Sequence, residues 1–70
     1  MDKKLDEREK TLIAIGAAVC AHCQPCLAHH VEKARELGID PAHIRAAIEV
    51  GNAVEKGSSA AMRKFSDDIR

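Results

Sequence analysis

The chain has no tryptophan and no tyrosine, and Phe65 is the only aromatic among its 70 residues. A core without aromatics must be filled by smaller groups, and alanine supplies much of the 46% hydrophobic content. Small side chains let helices approach closely but fill little volume each. A domain of this length also buries too small a share of its surface to rest on apolar burial alone. The sequence therefore predicts a staple, a metal or a partner subunit, with self-association as the first expectation. An excess of one charge is missing too: 11 Lys and Arg stand against 11 Asp and Glu. They are mixed along the chain, which leaves no basic stripe for nucleic acid or for an acidic membrane surface. The longest apolar run, Leu12 to Ala21, is about half the roughly 20 residues of a membrane span, and it lacks the position and cleavage site of a signal peptide. These absences predict a soluble, cytoplasmic protein with no nucleic-acid or membrane partner.

Stretches of alternating β-branched and aromatic residues are also lacking, whereas Ala, Leu, Glu, Lys and Arg dominate throughout. The reading is one all-α domain over residues 1–70, built from two long antiparallel helices and a connecting helix that carries the cysteines. Helix one is expected from about Lys3 to about His22, charged at first and then apolar on nearly every side. Pro25 disfavours helix at Gln24 but fits a first helical turn, so a second helix starts close to Cys23. Its apolar stripe is Cys26, Leu27, His30, Val31, Ala34 and Leu37, and Gly38 caps its end. Asp40-Pro41 is a strong start signal. Helix three then runs to about Lys56 with Ile44, Ala47, Ile48, Gly51 and Val54 or Glu55 on its stripe. Gly57 is expected to end it, with Ser58 or Ser59 capping a short fourth helix that shows Phe65 and Ile69 on a weak apolar side.

Three cysteines are an odd number, which a fully paired secreted framework would not leave. All three, with three of the four histidines, fall in CAHCQPCLAHH, from Cys20 to His30. One reading is a metal site. Cys20, Cys23 and Cys26 are spaced C-x-x-C-x-x-C with His30 four residues on, which fits a Cys3His zinc set or a ferredoxin-like run ending in histidine. Against it, the segment is alanine-rich and flanked by helix formers, and no second ligand pair exists. The other reading is redox. A Cys-x-x-Cys pair at a helix start sets two sulfurs within disulfide reach, and the helix N-terminus favours a thiolate. His30 lies one turn beyond Cys26 and can accept or hold its proton. Cys20 reads as packing at the end of helix one, since free cysteine is among the most buried residue types. His22, His29 and His43 read as surface or interface residues.

The stretch from Leu12 to Leu37 runs from an apolar helix into Cys-x-x-Cys-x-x-x-His and then an amphipathic helix ending Glu-Leu-Gly, with IAIGAAVCAHCQPCLAHH as its central segment. It resembles the carboxymuconolactone decarboxylase and alkylhydroperoxidase D superfamily, and with Gly-Ile-Asp-Pro and helix three the resemblance covers about residues 5 to 56. It implies an all-helical fold assembled as a homo-oligomer, trimer or hexamer. In the peroxidase branch it implies a hydroperoxide substrate and a thiol or dithiol reductant protein, with no cofactor or metal. Carried over, Cys26 is the attacking thiolate, Cys23 the resolving cysteine and His30 the proton relay. The chemistry is sulfenic acid formation followed by condensation to a disulfide, reopened by thiol exchange. Peroxidase-type members carry a glutamate twelve residues before the first cysteine, where this chain has Thr11. Glu7 lies one turn upstream on the same face and Glu9 is off-phase. Pro25 stands where some members place a histidine between the cysteines. The decarboxylase branch typically lacks the cysteine pair, so its activity fits poorly. A redox-inactive oligomeric scaffold of the same fold is the reading that Thr11 motivates.

Overall fold

The structure, a computed structural model, describes residues 4–69. It holds three helices, α1 (Glu7–Cys20), α2 (Gln24–Glu36) and α3 (Pro41–Ile69), and no strand forms among the described residues. None of these helices is long and apolar enough to cross a membrane.

Helix α1 opens later than its composition predicts. Lys3 lies outside the described residues, but Lys4, Leu5 and Asp6 precede the helix. Asp6 accepts from the Glu9 backbone N–H at 2.8 Å while the Glu9 carboxylate accepts from the Asp6 N–H at 2.9 Å, a reciprocal capping box that fixes the first turn.

Both α1 and α2 end in the same way. At the end of α1, Cys23 N–H donates to the Ala18 carbonyl and His22 N–H to that of Val19; at the end of α2, Ile39 N–H donates to Ala34 and Gly38 N–H to Arg35. This paired bonding requires one residue in the left-handed region. Gly38 takes it at φ 73°, and His22 takes it at φ 60° where glycine would be the unstrained choice. Helix α1 therefore stops at Cys20, short of the expected His22.

Helix α2 returns beside α1 in the opposite sense, tied at the far end by Lys33 to Glu7 at 3.5 Å. Helix α3 then packs on α1 and scarcely meets α2. Gly16 lies against Ala47 and Gly51, and His22 against Glu55, so α1 and α3 advance in the same sense. The antiparallel pairing expected of the two long helices is thus found in α1 and α2, because α2 carries the chain back to its starting level before α3 begins. The crossing of α1 and α3 is close: a Cβ on Gly51 would sit 2.5 Å from the Gly16 carbonyl oxygen and 2.9 Å from Val19 Cβ. The core is Ile15, Ala34, Ile39 and Ile44, with Leu27, Val31 and Ile48 packed around it.

The fourth helix does not exist as a separate element. Helix α3 runs for 29 residues through Gly57, Ser58 and Ser59. A glycine inside a helix costs only about 1 kcal/mol, less than the strong formers on either side supply. Past Lys56 the helix has left the hairpin behind, and Met62, Phe65 and Ile69 are each 60% or more exposed. This overhang makes the chain extended: its radius of gyration is 14.9 Å, against about 11 Å for a compact domain of this length.

Candidate functional site

The α1–α2 turn places Cys23 and Cys26. Cys23 is the N-cap of α2, with extended backbone, and Pro25 sits in the first turn where its missing N–H costs nothing. The two residues are joined as a disulfide across that turn, with their Cα atoms 5.2 Å apart, inside the range a disulfide accepts. The Cys26 N–H points at Cys23 Sγ at 3.3 Å. That donor, with the positive end of the helix, favours a thiolate on Cys23 when the bond is open. The two residues differ in access: Cys23 is half-buried and Cys26 is exposed.

His30 is half-buried one turn along α2, its ring edge-on to His29 with centroids 5.1 Å apart. Among the described residues no hydrogen bond joins it to either sulfur, and a disulfide offers neither an S–H donor nor a thiolate acceptor to hold one. Cys20 remains a free, half-buried thiol. It lines an open apolar groove between α1 and α3 with Leu12, Ile13, Ala17, Val50 and Val54, so it packs at a surface and not in the core. Among the described residues no group of three His, Cys, Asp or Glu is gathered to hold a metal ion. The four-ligand set of Cys20, Cys23, Cys26 and His30 is not assembled, and Cys23 and Cys26 are bonded to each other instead.

Thr11 is buried, its hydroxyl donating to the Glu7 carbonyl at 2.7 Å. The two nearby acids are engaged elsewhere, Glu7 with Lys10 and Lys33, Glu9 in the capping box. A carboxylate does reach the pair's end of the molecule, from α3. His22 Nε2 donates to Glu55 Oε2 at 3.1 Å, and Ser59 Oγ donates to the same oxygen at 2.7 Å. The Ser59 hydroxyl first, and then the His22 ring, hold the Glu55 carboxyl below its ordinary carboxylate range. His22, Cys23 and Glu55 line one cleft, floored by Val19, Leu27 and Ile48. Neither His22 nor Glu55 stands out as a site residue in the sequence. They are 33 positions apart, and the one signal was Glu55 competing with Val54 for the inner stripe of helix three. Glu55 takes that place, and Val54 is 56% exposed.

A cysteine pair closed over the first turn of a helix, on a helical hairpin backed by a third helix, defines an all-α protein with a redox-capable Cys-x-x-Cys motif. The chain belongs to the carboxymuconolactone decarboxylase family, whose model matches residues 1–66. No curated protein and no solved structure matches it. The resemblance read from Leu12 to Leu37 is thereby borne out at the level of the superfamily.

Proposed function

We propose that the protein is a thiol–disulfide oxidoreductase that reduces hydroperoxides through Cys23 and Cys26. The observation that carries this reading is the disulfide at the start of α2 between exposed Cys26 and half-buried Cys23, whose sulfur accepts a backbone N–H. Cys26 thiolate attacks the terminal peroxide oxygen and becomes a sulfenic acid, and the alkoxide leaves and takes a proton to give the alcohol. Cys23 then attacks Cys26 Sγ and gives up its thiol proton, the S–S bond forms, and the departing hydroxide takes that proton to become water. A dithiol reductant reopens the bond by exchange and is itself oxidised to a disulfide. His30 is the base beside Cys26 in the reduced state. Disulfides seldom persist in a reducing cytoplasm unless they are catalytic, and the cytoplasm is the compartment we assign. The test is intact mass after the reduced protein meets an organic hydroperoxide. Wild type loses two hydrogens, and Cys26→Ser does not. No mass change in wild type, or the same change in Cys26→Ser, sinks the reading.

The same reading takes the active form to be a homo-oligomer, a trimer or a hexamer, with a second copy of the chain on the groove between α1 and α3. The exposed surface supports it: 5518 Å² against about 4,300 Å² for a compact monomer of this mass. The difference of about 1,200 Å² exceeds the roughly 800 Å² per partner of a standard interface.

A further inference from the structure

The cleft beside Cys23 contains a hydrogen-bonded chain that the reaction above does not use. Ser59 and His22 both donate to Glu55 Oε2, from one turn along α3 and from the α1–α2 turn. The histidine occupies the left-handed position of a helix-ending motif that the same fold fills with glycine at residue 38. Histidine tolerates that conformation better than most residues, yet it is still strained relative to glycine. It directly precedes the half-buried cysteine and lines the same cleft. Thr11, on α1, is a buried hydroxyl already bonded to backbone. A carboxylate and an imidazole therefore line the cleft on the Cys23 side.

We infer that His22 is the proton donor and acceptor for Cys23, with Glu55 and Ser59 as positioning residues that hold its ring across the cleft. The inference rests on the redox reading of the Cys23–Cys26 pair. In reduction, the reductant's thiolate attacks Sγ of exposed Cys26, the S–S bond breaks, and Cys23 leaves as a thiolate. The Cys26 N–H stabilises that thiolate and the His22 imidazolium protonates it. The second thiol of the dithiol reductant then displaces Cys26, and the reductant departs as a disulfide. In oxidation the proton travels the other way: His22 takes it from the Cys23 thiol as Cys23 attacks the Cys26 sulfenic acid, and passes it to the departing hydroxide. The titratable groups of the cleft are His22, Cys23 and Glu55, and Arg63 acts on Glu55 from further along α3.

The experiment is reduction of the preformed disulfide by dithiothreitol in wild type, His22→Asn and Glu55→Gln, from about pH 5.5 to about pH 9, across the range where an imidazole titrates. Taking the ratio of wild-type to variant rate at each pH cancels the ionisation of the reductant. The ratio for His22→Asn is expected to be about tenfold near pH 6 and to fall towards one near pH 9. Glu55→Gln keeps a hydrogen-bonding oxygen and is expected to lie between the two. A ratio near one throughout, or one that stays constant with pH, overturns the inference, since a merely structural role would not follow imidazole ionisation. Asparagine is chosen because it accepts the left-handed backbone; should His22→Asn lack wild-type helicity, the pH dependence of Glu55→Gln decides alone. Peroxide is absent from this experiment. A protein that never reacts with peroxide can still show the sloping ratio, and one that does react can show a flat one.

Discussion

The two halves of α3 live under opposite conditions. Up to Glu55 the helix is clamped: Ile44, Ile48 and Gly51 face the hairpin, and Gly51 meets Gly16 so closely that no side chain fits between them. Beyond Lys56 the same helix projects with Met62, Phe65 and Ile69 exposed and no hairpin beside it. A glycine stands in each half, and the contrast between them shows how one residue type takes its meaning from its surroundings. Gly51 is a contact, whereas a Cβ on Gly57 would find nothing within 4 Å.

The largest effect should come from closing the space at the clamp. Gly51→Ala puts a methyl group 2.5 Å from a backbone oxygen, so α1 and α3 must separate, and a loss of about 3 kcal/mol is expected. Denaturant unfolding checks it, and an unchanged midpoint would mean that the helices do not cross at Gly16. Next in size is the overhang. If a second copy covers it, Phe65→Ala removes a buried aromatic from the interface, and a weakening of assembly by about 2 kcal/mol, roughly thirtyfold, is expected. Sedimentation over a concentration series reads it. A wild type that is monomeric at every concentration removes the partner from the account and leaves the exposed apolar side chains without one. The third change reverses the sign of the first. Gly57→Ala inserts a better helix former into open space and should stabilise the chain by about 0.8 kcal/mol. A loss instead would show that the helix breaks there after all.

That break was the main error a sequence reader would make, and its cause is physical. Gly-Ser-Ser looks like a stop because glycine and serine end many helices, but α1 and α2 stop at a left-handed residue with its carbonyl partners, and among the described residues only His22 and Gly38 supply one. The starts of α2 and α3 were legible because Pro25 and Pro41 admit few backbone alternatives. The start of α1 was legible in principle, since Asp6 and Glu9 have capping-box spacing, but helix propensity upstream masked it. The pair Cys23 and Cys26 could be read from spacing alone. The Glu55 carboxylate near it could not, because which of Val54 and Glu55 turns inward depends on how α3 meets α1 at two glycines, a matter of close approach and not of hydrophobic pattern.

The smallest expected effect concerns the last point at which the clamped half holds α3, the Glu55 carboxylate between His22 and Ser59. Its folded-state ionisation lies below the ordinary range, first because Ser59 donates to it and then because His22 does. A group depressed on folding adds stability above its unfolded-state pKa, near 4.3 for glutamate, and loses that contribution as pH falls through the lower folded-state value. The group is exposed enough for solvent to screen most of this, so unfolding curves should differ little between neutral and mildly acidic buffer. The sharper observable is the Glu55 side-chain carboxyl resonance followed through an acid titration. In Ser59→Ala and in His22→Asn its midpoint should move up towards the ordinary value, since both side chains hold the carboxyl down. Equal midpoints in all three proteins would mean that the contacts at the foot of the overhang do not persist in solution, and the boundary between the clamped and free halves would then lie nearer Gly51.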